Sequence, residues 1–241
     1  MLHDLRFAVR LLAKSPGVTC AAILALALGI GLSTAIFNAF SAVMLRPLPN
    51  IQDEHRLVYV NSLQLSRPDG YYELSLPDFL DLREHAKTLT GLTTSTRKTV
   101  IFADAENPER VLGADISAEG FTMLGVKPLR GRLFTAADGE ANATPTAIIS
   151  YSLWQRRFGG SDDVIGRTET MNGKSTTIIG VLPAGFTFPD KEELWTPMIY
   201  KHDPTARGNH YLGGWARLRD GVSLDEARAE VAALAARLAL A

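Results

Sequence analysis

The chain has 241 residues, is 46% hydrophobic and 21% charged, and carries a net charge of −1. These values fit one or two ordinary globular domains, exclude a disordered chain, and give no general electrostatic reason to bind nucleic acid. The single cysteine, Cys20, excludes an intrachain disulfide and any zinc cluster built on cysteine spacing.

Charge is unevenly placed. The first 46 residues hold Arg6, Arg10, Lys14 and Arg46 against Asp4, a net of +3, so the remainder carries −4. The opening segment, "DLRFAVRLLAKSPG", puts Arg6, Arg10 and Lys14 on one helical face and Leu5, Val9 and Leu12 on another, before Pro16-Gly17 breaks the helix. Residues 1–17 are therefore expected to be a cytoplasmic, basic amphipathic segment on the anionic inner leaflet. A plain positively charged flank is the simpler alternative.

Residues 18–45 follow, 28 in a row without a charge or a proline. Roughly 20 apolar residues cross the hydrocarbon core of a bilayer, and a cleaved signal has an apolar region of only about 7–15. A transmembrane helix is the expectation; removal as a signal, with a cut near Ala39-Phe40-Ser41, is the alternative. The cluster of basic residues on the N-terminal side places that end in the cytoplasm and residues 46–241 outside the cell. Ala21, Ala25, Gly29 and Ser33 recur every four residues, and so do Ala27, Gly31, Ala35 and Ala39. Small residues at that spacing let another membrane helix approach closely, so Ala21, Ala25, Gly29 and Ser33 are the expected packing face. The bland reading is that Ala and Gly are common in such helices.

"RPLPN" (46–50) ends the apolar run, and 56–63 reads as a strand. Residues 75–89 read as a helix capped by Ser75, with Pro77 in its first turn. Residues 98–117 look like two strands joined at Asn107-Pro108, and 117–126 like a short capped helix ending at Gly125. A strand and a helix closed by Gly159-Gly160 are predicted over 146–160. The clearest local signal is 167–183, a hairpin about the type I′ dipeptide Asn172-Gly173. Another strand lies within 210–221. Residues 223–241 form a helix with a Ser223/Glu226 capping box and an apolar stripe of Leu224, Ala227, Val231, Leu234 and Leu238. Its end on "LALA", without a Gly cap or polar tail, is what an N-terminal fragment truncated at its C-terminus would show.

No chemistry stands out. There is no GxxxxGK[ST] phosphate loop and no GxSxG elbow; "GGSDD" (159–163) is a helix-ending turn. His202, Asp203 and His210 do not have a metal-ligand spacing. Asp162-Asp163 and Glu192-Glu193 are paired carboxylates without acid/base context, expected to be solvated loop charges. Trp154, Trp195 and Trp215 are expected in the core or lining a groove. No catalytic residue, cofactor, metal site or nucleic-acid partner is assigned.

The stretch "DLRFAVRLLAKSPGVTCAAILALALGIGLSTAIFNAFSAVMLRPLP" resembles the start of bacterial MacB-like ABC transporter permeases, of the duplicated orphan type found in acidobacteria. "SLPDFLDLRE", "GFTMLGVKPLRGRLFTAADG" and "AIISYSLWQRRFGGSDDVIGRTETMNGKSTTIIGVLPAGFTFP" resemble the periplasmic core of that family, in family order. The resemblance implies an α+β extracytoplasmic domain preceded by one transmembrane helix. That domain would have a porter-like β-α-β part (about 52–118 and 196–241) and a mostly β insertion (about 119–195). It further implies a second permease subunit, an ABC ATPase below the membrane, a periplasmic adaptor, and ATP-driven motion relayed through the bilayer for export or efflux. The later membrane helices of such permeases are missing from this sequence. An envelope interaction module of FtsX-like type, engaging an extracytoplasmic partner, is the alternative.

Overall fold

The computed structural model describes residues 14–44, 50–64, 67–103, 108–200, 203 and 206–238; the basic segment expected at the N-terminus lies outside these except for its last four residues. The chain forms two compact units, Met1–Pro47 and Leu48–Ala241.

The described part of the first unit is one helix, α1 (Pro16–Met44), with no charged residue in it. Its first turn is reinforced by Thr19, whose hydroxyl donates to the Ser15 carbonyl at 3.0 Å. Leu24, Leu28, Ile30 and Phe37 are all exposed. Apolar surface left in water costs about 25 cal/mol per Å², so side chains of this kind along a helix call for lipid or other apolar helices. Pro16–Asn38 is long and apolar enough to cross a membrane.

The second unit is built on a nine-stranded sheet in the order β1 (Leu57–Val60), β11 (Gly213–Leu218), β4 (Leu89–Phe102), β5 (Glu109–Ile116), β10 (Leu194–Pro197), β7 (Thr146–Ile149), β9 (Lys174–Val181), β6 (Arg130–Gly131). The ninth strand, β8 (Thr168–Met171), pairs with both β9 and β4. A separate antiparallel hairpin is made by β2 (Ser62–Gln64) and β3 (Arg67–Tyr72).

The long strand β4 serves two structures. Its first half, Leu89–Ser95, pairs antiparallel with β11, and its second half, Ser95–Phe102, with β5. Helices α2 (Leu76–His85) and α5 (Leu224–Leu238) share one apolar cluster with the first half. Leu76, Phe79 and Leu82 of α2, and Ala227 and Leu234 of α5, meet Leu92, Ala216 and Leu218 of the sheet there. Fully burying each large side chain is worth about 1.5–3 kcal/mol. Ser75 caps α2 through the Asp78 N–H at 3.2 Å, and Ser223 and Glu226 make the reciprocal box that starts α5.

The second half of β4 begins a ring. β4–β5–β10–β7–β9–β8 runs back to β4 through the pair Phe102↔Met171, closing six strands into a small barrel. The seam is short, and Asn172 reinforces it. This residue has φ 48°, its side-chain oxygen accepts from Ile101 N–H at 2.9 Å, and its side-chain nitrogen donates to Thr99 C=O at 3.0 Å. One end of the barrel is filled by Val100, Phe102, Val111, Ile149, Ile178 and Leu194, and covered by α4 (Tyr151–Phe158) through Leu153, Trp154 and Phe158. Arg157 lies over the Phe102 ring at 4.4 Å and pairs with Glu109 at 3.4 Å. Outside the barrel wall, Phe121, Phe134, Phe186, Phe188 and Trp195 form a third cluster with α3 (Gly120–Met123).

Among the described residues the predicted elements occur, with three differences; Asn107 of the expected turn and the last three residues of the expected C-terminal helix lie outside them. The strand expected over 56–63 is divided at Asn61 into β1 and β2. Helix α2 stops at His85, because Ala86 turns extended and the β-branched run from Thr88 enters β4. Ser117 does not cap α3; its hydroxyl faces Thr93 in a buried pair, and Glu119 holds the N-cap position without a side-chain bond.

Candidate functional site

Two features offer function: the surface of α1 and the open end of the barrel. Ala21, Ala25, Gly29 and Ser33 lie along α1 and are exposed. A Cβ added at Gly29 or Gly31 would meet nothing within 4 Å.

The barrel's open end is polar for a reason visible in the strands. Along β4, the residues that alternate inward are Thr96, Lys98, Val100 and Phe102, so the same strand face passes from polar to apolar. Along β5 the inward series is Val111, Gly113 and Asp115. Gly113 has no side chain there because a Cβ would come within 2.9 Å of the Leu194 carbonyl. Lys98 Nζ donates to Asp115 Oδ1 at 2.6 Å and also to the Thr196 hydroxyl, which itself donates to Asp115. Around this triad is a cavity of about 410 Å³, completed by Thr146, Thr176, Met171, Met198 and Tyr211 among others.

A second carboxylate borders the cavity. Asp138 accepts two bonds from the Arg132 guanidinium, at 2.7 and 2.9 Å, and two from Thr135, from its N–H and its hydroxyl, both at 2.8 Å. These bonds, that to Arg132 foremost, hold its pKa well below the usual carboxylate range although burial opposes them. It is a satisfied structural anion.

The paired carboxylates separate into two kinds. Asp162 and Asp163 are exposed, and Asp162 meets Arg130 at 2.9 Å. Glu192 and Glu193 are not the solvated charges expected. Glu192 is only 3% exposed, accepts from the Asp190 N–H at 2.7 Å and faces Arg97 at 3.3 Å. Glu193 is clamped by Arg156 at 2.8 and 2.9 Å, and this bonding, with a further bond from Ser152, lowers its pKa. Both lead into β10 between β5 and β7, where burial forces pairing. Trp154 and Trp195 are buried and Trp215 packs partly buried against Phe188, 4.8 Å between ring centroids. His202 lies outside the described residues, and His210 turns its Nδ1 to the Glu73 carbonyl at 2.9 Å. Among the described residues no group of three or more His, Cys, Asp or Glu is placed to hold a metal.

Sequence reasoning missed the Lys98–Asp115–Thr196 triad. A signal was present: the two-residue period that puts Val100 and Phe102 inward also puts Lys98 inward.

Comparison with known proteins bears on the whole chain. Residues 19–234 match the family model described as MacB-like periplasmic core domain. The periplasmic region of MacB from Actinobacillus actinomycetemcomitans superposes with a TM-score of 0.59 at 18% identity, covering 80% of this chain and 88% of that one. A domain of a protein described as a permease from Porphyromonas gingivalis gives 0.59 at 20% identity, covering 78% and 86%. The extracellular domain of the noncanonic ABC-type transporter YknZ from Gram-positive bacteria gives 0.51 at 20%, covering 74% and 90%. At these identities the likeness is one of fold. No curated protein matches the chain significantly.

Proposed function

The chain belongs to the MacB-like periplasmic core domain family, and from that premise we propose that it is a membrane-anchored permease subunit of a MacB-like ABC transporter. In this reading α1 spans the bacterial inner membrane with its N-terminus in the cytoplasm, and residues 46–241 stand outside. ATP-driven motion on the cytoplasmic side passes through the helix to the outer unit and serves export or efflux. A second permease subunit, a separate ABC ATPase and a periplasmic adaptor are its partners, and Ala21, Ala25, Gly29 and Ser33 receive a neighbouring span. The chain performs no catalysis of its own.

One observation carries the reading: the family match runs from residue 19 to residue 234, through α1 and the folded unit together. The apolar helix thus belongs with the family module rather than to an appended tag. Within the outer unit, residues 52–118 with 196–241 are read as the porter-like part and 119–195 as the insertion. The grouping of β1, β11, α2 and α5 about the first half of β4 supports the porter-like part, whereas β5 and the second half of β4, which this division also assigns to it, close the barrel with the strands of the insertion.

Topology is the direct test. Alkaline phosphatase fused after Ala241 is expected to be active in cells, and the intact chain is expected to stay with membranes through a carbonate wash. An inactive fusion would reverse the orientation. Release of the full-length chain into the wash would remove the anchor, and with it the relay.

A further inference from the structure

The open end of the barrel is a built cavity that the transport reading does not use, and its chemistry narrows what fits. We infer that it binds a neutral, hydroxyl-rich ligand, a saccharide of one or two rings.

The argument begins with charge. The ammonium of Lys98 is neutralised by Asp115 at 2.6 Å, and the carboxylate of Asp138 by Arg132 at 2.7 Å. A net-charged ligand buried against these two pairs would be desolvated without an uncommitted counter-charge beside it, the exposed Lys174 standing only at the rim, and that is costly. Direction of hydrogen bonding comes next. The Thr96 hydroxyl donates to the Tyr211 carbonyl at 3.1 Å, Thr146 to Asp138 at 3.4 Å, Thr176 to the Lys174 carbonyl at 3.3 Å, and Thr196 to Asp115. With their protons turned into the wall, these hydroxyls can meet a ligand only as acceptors, Thr196 with one lone pair already taken by Lys98. A hydroxyl accepts through two lone pairs, so the matching ligand is rich in donors. A cationic donor would face the exposed Lys174 at the rim, which favours neutral donors such as alcohol hydroxyls and amides. Finally, Val100, Met171, Pro197 and Met198 supply an apolar part of the same wall, suited to the C–H face of a sugar ring. A volume of about 410 Å³ falls within the range of roughly 300–1,000 Å³ typical of small-molecule sites. The inference stands on the folded unit alone and does not depend on the orientation of α1.

The methionines provide the readout. Met171 and Met198 line the cavity, whereas Met123 lies in α3. The full chain, labelled with ¹³C at its methionine methyls and held in lipid nanodiscs, would be titrated with four probes. Maltose stands for a free sugar and N,N′-diacetylchitobiose for an N-acetylated envelope glycan; glucose 6-phosphate and glucosamine are the charged counterparts. Saturable shifts of Met171 and Met198 with either neutral disaccharide, Met123 staying still, are the expected result, and the tighter of the two identifies the source. Binding of the charged probes should be at least about tenfold weaker, equivalent to about 1.4 kcal/mol. Thr144→Trp, at an exposed position bordering the cavity, should abolish the shifts by filling the space, and Thr176→Val should weaken binding about tenfold. Absence of saturable shifts at millimolar probe, equal affinity for the charged sugars, or undiminished binding by Thr144→Trp would each overturn the assignment.

Discussion

Asp138 accepts from Arg132, from the Thr135 N–H and from the Thr135 hydroxyl, and so ties the turn after Phe134 to the strand before it. Its pKa is lowered on folding, principally by the Arg132 bonds. The stability it contributes is therefore complete above the unfolded carboxylate value of about 3.9. That contribution is lost as pH falls from there through the folded value. Asp138→Asn is expected to cost about 1–2 kcal/mol at pH 7, the lower part of the range for charged bonds because Arg132 is half exposed. Urea unfolding of the variant should show a shallower loss of stability between about pH 4 and pH 2 than the parent; parallel pH profiles would refute the role. Asn172 makes a second residue-scale case, since one side chain both occupies a left-handed turn position and bonds across the barrel seam. Asn172→Gly keeps the turn and removes both bonds. A loss of about 1–2 kcal/mol and faster amide exchange at Ile101 are expected, and an unchanged Ile101 rate would show that the seam holds without it.

At the scale of elements, α5 is joined to the entry of β4 by one carboxylate. Glu230 accepts from the backbone N–H of Lys87, at 3.0 and 3.1 Å, from that of Thr88 at 2.8 Å, and from the Thr88 hydroxyl. The apolar contacts of Ala227 and Leu234 hold the helix on the sheet, while Glu230 fixes its position along it. Glu230→Ala should speed amide exchange at Lys87 and Thr88 well before it lowers global stability, whose loss is expected to stay within about 1 kcal/mol for so accessible a bond. A global loss without a local one would place the helix's docking elsewhere. The turns show the same division of labour. Gly131 has φ 68°, and a Cβ there would fall 2.1 Å from the Ile179 carbonyl, so the short strand β6 reaches β9 only with glycine.

For the whole molecule, the relevant question is what α1 touches. It carries no charged residue, and the proposed packing face of Ala21, Ala25, Gly29 and Ser33 needs a partner span. Among the described residues Gly29→Leu meets no obstacle at its Cβ, so weaker association of the variant reports on a neighbouring helix. Association of labelled chains in vesicles, read by energy transfer, should weaken several-fold, because a branched side chain keeps the two backbones from approaching closely. Unaltered transfer would discard the face.

Much of this was legible in the residues because it is set by local physics. The uncharged run that became α1, the Ser75 and Ser223 caps, and the Asn172-Gly173 turn each depend on a few neighbours in sequence. So does the αL ending at Gly159, with φ 61°. The family likeness was legible as well, through motifs kept in order along the chain. Only the tertiary structure decided that β4 would be shared between a helix-backed sheet and a barrel, since nothing local fixes which strand a fourteen-residue strand pairs with at each end. It also decided that Glu192 would be buried, and that Lys98, Asp115 and Thr196, up to 98 positions apart, would meet in one cavity. Pairing of this kind is a long-range choice: it follows from which surfaces can be buried together, and that sum is made only when the chain closes on itself.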